Sequence, residues 1–226
     1  MTAPPAIPAG AQLRIIGDVH GDAAAFAYAL ATDRFVIQLG DLIDHGPDSA
    51  AVLTAMLDRQ AAGWGLFLLG NHDHRLARAL AGTLPRIEGE LARTLSQLTP
   101  VLAARVAAAL AAAPLWLRRG DALFVHAGFH TAMLDGPPAP PPPGRAGGVA
   151  ARALYGEPTG HTQPDGFPER SLRWIDRIPR GITVYCGHDQ RSTDGRPWRK
   201  RGAAGGEAVL LDTGAGKGGH LSWIDL

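Results

Sequence analysis

Three short motifs in the first third of the chain carry side chains that bind divalent metal ions. They are GDVHG (residues 17–21), GDLIDHG (40–46) and GNHD (70–73), and each follows an apolar run typical of a buried strand. Because parallel strands end at the same edge of a sheet, we expect the polar side chains after them to converge there. Carboxylate, imidazole and amide groups gathered in this way suit a pair of divalent ions.

Two later histidines occupy the same kind of position. His126 ends the apolar run ALFVH, and His188 follows VYCG. Taken singly, such residues are more often turn formers or hydrogen-bonded polar groups than metal ligands. Asp41 is the natural bridge between two ions because a carboxylate has two oxygens. The sequence therefore predicts one metal site formed by Asp18, His20 and Asp41, and a second formed by Asp41, Asn71, His126 and His188.

The spacing of apolar residues predicts alternating strands and helices in the first part of the chain. Such repetition implies parallel strands with helices packed on the sheet faces. Asp22 is expected to cap the first helix, and Pro47 to lie in the first turn of the second. The predicted strands are 13–16, 35–39 and 66–69, and the predicted helices are 22–31, 47–62 and a third that starts near residue 72.

The second half is expected to hold two helices and then a second sheet. Residues 91–112 have a helical pattern that Pro100 breaks. Short apolar runs follow without helical crossovers between them, so we expect a mixed or antiparallel sheet. These runs are 115–117, 122–126, 182–186, 208–211 and 220–224.

Composition limits the class of protein. The 226 residues are 46% hydrophobic and 19% charged with a net charge of +1, so no bulk charge favours nucleic acid or an anionic membrane. One cysteine excludes an internal disulfide. The N-terminus lacks signal-peptide features and no apolar run reaches about 20 residues, so we expect a cytoplasmic protein without a membrane partner. We expect one domain over 1–226, with an N-terminal tail (1–12) and an exposed Pro/Gly-rich loop (136–148) for which a peptide-ligand role is the lesser alternative.

The motifs together resemble the calcineurin-like metallophosphoesterase superfamily, and within it the phosphoprotein-phosphatase (serine/threonine phosphatase-like) branch. That branch carries GDxHG, GDxxDRG, GNH followed by Glu or Asp, a later HAG or HGG, and a final GH. All have counterparts here, from Gly17 to His188. The resemblance implies an α/β fold, a four-layer α/β-β/α sandwich of two mixed sheets flanked by helices. It also implies two divalent ions, with manganese expected and iron or zinc as alternatives.

The second half is similar to the phosphatase module of bacterial polynucleotide kinase-phosphatases. The likeness rests on ALYGEPTG (153–160), VYCGH (184–188) and LDTGAGKGGHL (211–221). Related arrangements occur in bacterial diadenosine tetraphosphatases and small bacterial protein phosphatases. The sequence has no P-loop, so we do not expect a kinase activity.

The expected reaction is direct attack on phosphorus by a hydroxide that bridges the two metals. His72 is the candidate general acid, and Asp44 is expected to orient it and favour its charged form. The family uses its matching His and Asp in these roles. A purely structural role for His72, near the metals or in the first turn of a helix, is the alternative.

The sequence departs from the family pattern inside GDxxDRG, where His45 replaces the arginine that binds substrate phosphate. An imidazole cannot reproduce the five donors of a guanidinium, so phosphate binding is expected to be weaker, more pH-dependent, or supplied by another arginine. Arg152 and Arg191 are the candidates, although both also fit ordinary surface positions. Asp73 stands where animal phosphatases carry Glu, and Asp212 is expected either near the metals or in a plain turn.

The main functional prediction is hydrolysis of phosphomonoesters on phosphoproteins or at the 2′ or 3′ phosphates of nucleic acids. A diadenosine tetraphosphatase-like hydrolase is the alternative. A non-catalytic interaction module on the same fold is less favoured because every expected ligand is present. The partner is then a phosphorylated substrate: a phosphoprotein, a nucleotide or a nucleic-acid end. The basic segment 191–202 contains Trp198 and is a candidate nucleic-acid contact, with a solvated hairpin loop as the simpler interpretation.

Overall fold

The strands and helices follow one another in the order that the apolar pattern predicts for the first part of the chain. A computed structural model describes residues 6–136, 144–162 and 168–226, so most of the predicted loop 136–148 lies outside the described residues. The helices are α1 (Ala23–Leu30), α2 (Ser49–Ala61), α3 (Asn71–Leu80), α4 (Gly89–Gln97), α5 (Pro100–Ala112) and α6 (Gly148–Tyr155). The strands are β1 (Leu13–Ile16), β2 (Phe35–Gln38), β3 (Gly65–Phe67), β4 (Trp116–Arg119), β5 (Ala122–Val125), β6 (Glu157–Thr162), β7 (Pro168–Ser171), β8 (Thr183–Cys186), β9 (Trp198–Arg201), β10 (Glu207–Leu210) and β11 (Trp223–Asp225).

Two mixed sheets form the centre of the molecule. The first has the order β11-β1-β2-β3, in which β1, β2 and β3 are parallel and β11 is antiparallel to β1. The second has the order β4-β5-β8-β10-β9, in which β5, β8 and β10 are parallel and the two outer strands are antiparallel to their neighbours. Parallel strands in both sheets place all of their carboxyl ends on one side of each sheet.

Side chains alternate in direction along each strand, and this alternation explains how the sheets and helices pack in layers. In β1, Leu13 and Ile15 pack into a core cluster with residues of both sheets, whereas Ile16 packs into the larger cluster that includes the helices. In β5, Phe124 joins the first cluster and Leu123 the second. Because successive side chains of a strand point to opposite faces, each sheet packs on the other sheet with one face and on helices with the other. The predicted α/β fold of two mixed sheets flanked by helices is confirmed.

Local capping explains where the early helices begin. The Asp22 carboxylate accepts from the Ala25 backbone N–H at 3.0 Å, so the predicted N-cap of α1 is confirmed. Helix α2 begins at Ser49 rather than near Pro47, because Asp48 caps it through the Ala51 N–H at 2.8 Å. Thr99 caps α5, with Pro100 in its first turn, and this is the predicted break in the helical segment.

Several elements differ from the prediction. The run 220–224 was expected in the second sheet, but β11 pairs with β1 in the first. The basic segment 191–202 was expected to be a loop, but a third of it, Trp198–Arg201, forms the edge strand β9 beside β10. Its sequence WRKR hides the strand because charged side chains are typical of a solvent-facing edge. Helix α6 and the β6–β7 hairpin were not predicted at all.

No single helix in the described ranges is long and apolar enough to cross a membrane. Helices α4 and α5 together have the length and apolar composition of a membrane span, but the chain bends by 118° between them.

Gln38 ties together the ends of the first two strands. It is fully buried at the end of β2. Its amide nitrogen donates to the Gly40 carbonyl at 2.7 Å and the Gly17 carbonyl at 3.3 Å, while its amide oxygen accepts from the Gly40 N–H at 2.9 Å. The two loops that follow β1 and β2 are therefore held in register by one side chain.

We predict that Gln38→Leu lowers the free energy of unfolding by about 2–4 kcal/mol, because it leaves buried backbone groups of Gly40 without partners. Chemical denaturation measures this. The matched control is Gln12→Leu at an exposed position, for which a change below about 0.5 kcal/mol is expected. Equal effects of the two substitutions would contradict the role of Gln38.

Candidate metal centre and catalytic cavity

The loops after six parallel strands meet at one edge of the two sheets. Asp18 Oδ1 and Oδ2 each accept from the His188 N–H at 3.1 Å, which joins the loop after β1 to the loop after β8. All six residues predicted as metal ligands are brought together there. The strands and the residues after them are β1 with Asp18 and His20, β2 with Asp41, β3 with Asn71, β5 with His126, β8 with His188, and β10 with Asp212.

Asp41 lies between two groups of candidate ligands. Its Oδ2 is 3.7 Å from His20 Nε2 and 3.5 Å from His126 Nε2. Asp18 Oδ2 is 3.8 Å from His20 Nε2, and Asn71 Oδ1 is 3.0 Å from His126 Nε2. Two groups share Asp41, and in each the ligand atoms lie within 4.8 Å of one another: Asp18, His20 and Asp41, and Asp41, His126 and His188. A third group that meets the same distance comprises His20, His45 and His72.

Hydrogen bonds to backbone carbonyls fix which ring nitrogen of two histidines is free. His20 Nδ1 lies 2.9 Å from the Ile43 carbonyl, and His126 Nδ1 lies 3.0 Å from the Leu39 carbonyl. A carbonyl oxygen only accepts, so Nδ1 of each ring carries the proton and Nε2 keeps a lone pair. This is how metal-binding histidines are usually oriented. The Nε2 of His20 is buried without a hydrogen-bond partner, and so is Oδ2 of Asp212.

The charges at this edge require compensation. Burial raises the pKa of the Asp18 carboxyl well above its usual value, and the nearby Asp212 and Asp41 raise it further. Burial alone would also raise the pKa of Asp41, but the surrounding histidines, His126 first, outweigh it and hold that pKa low. Burial lowers the pKa of His20 to about 3, which keeps its imidazole neutral. Buried carboxylates beside neutral imidazoles form a donor set that fits divalent cations.

Strained backbone is concentrated at the same edge. Five non-glycine residues have positive φ among the described residues, and all five belong to the motifs of this site. Such conformations are uncommon outside glycine and persist only where the surrounding structure holds them. The residues are His20 (47°), Asp41 (59°), Asp44 (71°), His45 (62°) and His188 (64°).

Glycine precedes several ligands because the neighbouring carboxylates leave no room for a side chain. A Cβ at Gly187 would collide with Asp18 Oδ1, and one at Gly70 would collide with Asp41 Oδ1. At these two positions the backbone of one loop therefore packs directly against a carboxylate of another. At Gly17 and Gly40 a Cβ would instead collide with the backbone of Leu211 and of Gly70.

Asp73 holds the Asp41 loop in place. Its Oδ2 accepts from the backbone N–H groups of Asp41 at 2.7 Å and Gly70 at 3.1 Å, and its Oδ1 accepts from Leu42 N–H at 3.1 Å. Burial and the charge of Asp41 raise the pKa of Asp73 to about 7. Its contacts are to backbone, so this residue orders the loop that carries Asp41. The sequence motifs do not predict this role.

A chain of hydrogen bonds orients His72. Asp44 Oδ2 is 2.6 Å from His72 Nδ1, and Asp44 Oδ1 accepts from the Thr94 hydroxyl at 2.7 Å. Ser49 Oγ lies 3.2 Å from Thr94 Oγ1 and accepts from the Asp44 N–H at 3.1 Å. Thr94 on α4 is a positioning residue that the sequence motifs did not reveal.

The Asp44–His72 pair is stable in its charged form. Burial would raise the pKa of Asp44, but hydrogen bonds from His72 and Thr94 outweigh it and lower that pKa. Burial would likewise lower the pKa of His72, but Asp41 and Asp44 outweigh it and raise that pKa. Both shifts favour the charged pair, in which Nε2 of the imidazole carries a proton that it can donate.

A cavity of about 760 Å³ opens over these residues. Three cationic side chains line it: Arg75, Arg170 and Lys217. The Nε of Arg170, on β7, donates to His188 Nε2 at 3.3 Å. Arg170 is not among the site residues predicted from the sequence, because the β6–β7 hairpin that carries it was not predicted. Other lining residues are His45, His72, Glu88 and Glu90.

The two arginines chosen from the sequence lie elsewhere. Arg152 Nη1 pairs with Glu157 at 2.9 Å, and Arg191 Nη2 pairs with Asp189 at 2.7 Å. Neither lines the cavity in the part of the chain that is described. His45 does line it, with its ring centroid 4.8 Å from that of His20. Asp212 was expected either near the metals or in a turn, and both are observed. Its Oδ1 accepts from the Gly214 N–H in a turn, and its charge acts on Asp18.

We predict that Gly187→Ala lowers the affinity for Mn²⁺ by about tenfold or more, because the new Cβ displaces Asp18. Equilibrium dialysis measures the affinity, and circular dichroism checks the fold. Gly144→Ala is the matched control, since a Cβ there meets nothing within 4 Å. Unchanged affinity in a folded Gly187→Ala protein would contradict the proposed ligand role of Asp18.

Proteins similar to this chain include several bis(5′-nucleosyl)-tetraphosphatases. An asymmetrical enzyme of Bacillus velezensis is 31% identical over 84% of this chain and 73% of its own length. An asymmetrical enzyme of Geobacillus thermodenitrificans is 28% identical over 93% and 89%. A symmetrical enzyme of Bordetella pertussis is 30% identical over 93% and 91%.

Solved structures and a family model agree on the fold. A putative diadenosine tetraphosphatase has a TM-score of 0.67 at 21% identity, over 98% of this chain and 91% of that chain. A serine/threonine phosphatase of Saccharomyces cerevisiae has a TM-score of 0.62 at 14% identity, over 99% and 84%. The model of the calcineurin-like phosphoesterase family matches residues 12–192. This chain therefore belongs to the calcineurin-like phosphoesterase family, which implies a binuclear site for divalent metal ions.

Proposed function

We propose that this protein is a metal-dependent hydrolase of dinucleoside polyphosphates. The sequence motifs alone favour phosphomonoesters as substrates, with diadenosine tetraphosphate as the alternative. The similarity to bis(5′-nucleosyl)-tetraphosphatases over most of the chain favours the alternative. The closer likeness to polynucleotide kinase-phosphatases remains a prediction.

One observation carries the hydrolytic part of this proposal: a buried carboxylate, Asp41, lies within 3.5–3.7 Å of imidazoles from two different ligand groups. That arrangement would let Asp41 be shared by two ions. When bound, two divalent ions supply positive charge to the reacting phosphoryl group and lower the pKa of a water molecule. The mixed oxygen and nitrogen ligands suit manganese, iron or zinc, and manganese is the metal we expect.

The cavity fits a substrate with several phosphates. Its volume of about 760 Å³ is in the range of pockets that bind nucleotide-sized ligands. Arg75, Arg170 and Lys217 line the cavity, as do the carboxylates of Glu88 and Glu90. With two divalent ions added, positive charge is in excess there, which suits a chain of negatively charged phosphates.

The residues of the chain perform the remaining steps. Arg170 beside His188 is placed to hold a substrate phosphate at the candidate ligands. Water adds to phosphorus as the anhydride P–O bond breaks, and the leaving phosphate takes a proton. His72, held by Asp44, is placed to donate that proton from Nε2 into the cavity.

A panel of substrates tests the proposed function. We predict that the Mn²⁺-loaded protein hydrolyses diadenosine tetraphosphate with a higher kcat/KM than p-nitrophenyl phosphate, bis-p-nitrophenyl phosphate, a phosphoserine peptide or a nucleoside 2′,3′-cyclic phosphate. Chromatography of the products distinguishes AMP plus ATP from two molecules of ADP. A phosphoserine peptide or cyclic phosphate turned over fastest would contradict the proposal. Turnover of none would favour a non-catalytic module.

A leaving-group comparison tests the role of His72. We predict that His72→Asn lowers kcat/KM for phenyl phosphate by about 10²–10³-fold, because phenoxide needs a proton to leave. The loss with p-nitrophenyl phosphate should be at least about tenfold smaller, because p-nitrophenoxide leaves without one.

The control for this comparison is His161→Asn on the exposed face of β6, which should leave both rates unchanged. Equal losses for the two substrates in His72→Asn would show that His72 does not act as the acid.

A further inference from the structure

Lys217 is a cation that lines the cavity without a salt bridge to an acidic side chain of the described residues. The chain contains two lysines, Lys200 and Lys217, among 22 basic residues. Lys217 lines the cavity together with Asp41, His45 and His72. Within the described ranges it has no ion pair, whereas Arg152 and Arg191 do. Its charge is therefore available to an anion that enters the cavity.

The loop that carries Lys217 is packed against the candidate metal centre. A Cβ at Gly216, where φ is +70°, would collide with the His20 carbonyl oxygen, so the backbone beside Lys217 touches the backbone of a candidate ligand. The backbone N–H groups of Lys217 and Gly219 donate to the Gly214 carbonyl at 3.0 and 2.9 Å. These contacts form a tight turn, which keeps the lysine next to the cavity.

Lys217 can supply donors that are missing at His45, the residue that replaces the family arginine in GDLIDHG. His45 lines the same cavity as Lys217. An imidazole has at most two N–H groups, whereas the arginine of GDxxDRG has five, so His45 alone leaves a phosphate with fewer donors. Lys217 is exposed while Asp41 is buried, so the lysine lies toward the outer part of the cavity.

We propose that Lys217 binds the phosphates next to the reacting one and makes the site selective for polyphosphate chains over single phosphates. This inference rests on the proposed function, because only a polyphosphate substrate extends beyond the reacting phosphoryl group. The ammonium group is a compact charge with three donors on a flexible stem, which suits phosphates that need not be held in one geometry. Lys217 is thus a specificity-determining residue.

Amine labelling tests the contact without any turnover. The Mn²⁺-loaded protein is acylated with a limiting amine reagent, with and without tripolyphosphate, and the two lysines are quantified by mass spectrometry. We expect tripolyphosphate to slow labelling of Lys217 by about fivefold or more and to leave Lys200, on the exposed strand β9, unchanged. Equal labelling of Lys217 with and without tripolyphosphate would overturn the proposal.

Kinetics then test selectivity. Lys217→Met should raise the KM for diadenosine tetraphosphate about tenfold more than the KM for p-nitrophenyl phosphate, and Lys200→Met should change neither. Adding His45→Arg to Lys217→Met should recover much of the loss, because the guanidinium restores donors at the same cavity. Equal changes for both substrates would show that Lys217 does not select polyphosphates.

The two proposals can fail separately. If the protein hydrolyses p-nitrophenyl phosphate but not diadenosine tetraphosphate, the proposed function is wrong. Protection of Lys217 by tripolyphosphate in that case still supports its role in polyphosphate binding. Turnover of diadenosine tetraphosphate without protection of Lys217 would support the proposed function and overturn the role of Lys217.

Discussion

The structure depends on packing several carboxylates side by side at the edge of two sheets. Asp18, Asp41 and Asp212 are each at most 2% exposed, and their charges act on one another. Removing even one unpaired carboxylate from water costs several kcal/mol, so such a cluster is stable only with cations or strong hydrogen bonds. Positive charge on the surrounding histidines would favour the Asp41 carboxylate, but burial lowers the pKa values of His20 and His126 and so limits that charge. Divalent ions are the compensation that fits.

That electrostatic requirement explains features that otherwise look unrelated. The carboxylates approach backbone so closely that glycine is required at Gly70 and Gly187. The same loops contain left-handed backbone at His20, Asp41 and His188, a strain that rigid sheets on both sides hold in place. The core cluster between the sheets supplies that rigidity, because strands that alternate their side chains bury one face against the opposite sheet.

The part of the site that follows parallel strands could be predicted from the sequence, because each polar residue is tied to the end of an apolar run. Residues that reach the site only by tertiary contact could not be predicted from the sequence. Arg170 approaches His188 through a hairpin of mostly exposed residues, which has no apolar pattern. Thr94 reaches Asp44 from a different helix, 50 positions along the chain. Strand β11 pairs with β1 from the far end of the chain, and no local pattern indicates which sheet it joins.

The site therefore has two regions with different tolerance for change. The buried ligands are constrained by charge, steric contact and strained backbone at once, so almost any substitution disturbs all three. The outer residues, such as His45, Arg170 and Lys217, contact the cavity but not the core, and their side chains can change without repacking a sheet. Under the proposed function, the metal-dependent chemistry belongs to the buried region and the choice of substrate to the outer one. This division is consistent with a fold shared by a putative diadenosine tetraphosphatase and a serine/threonine phosphatase, because outer side chains can differ between proteins of one fold.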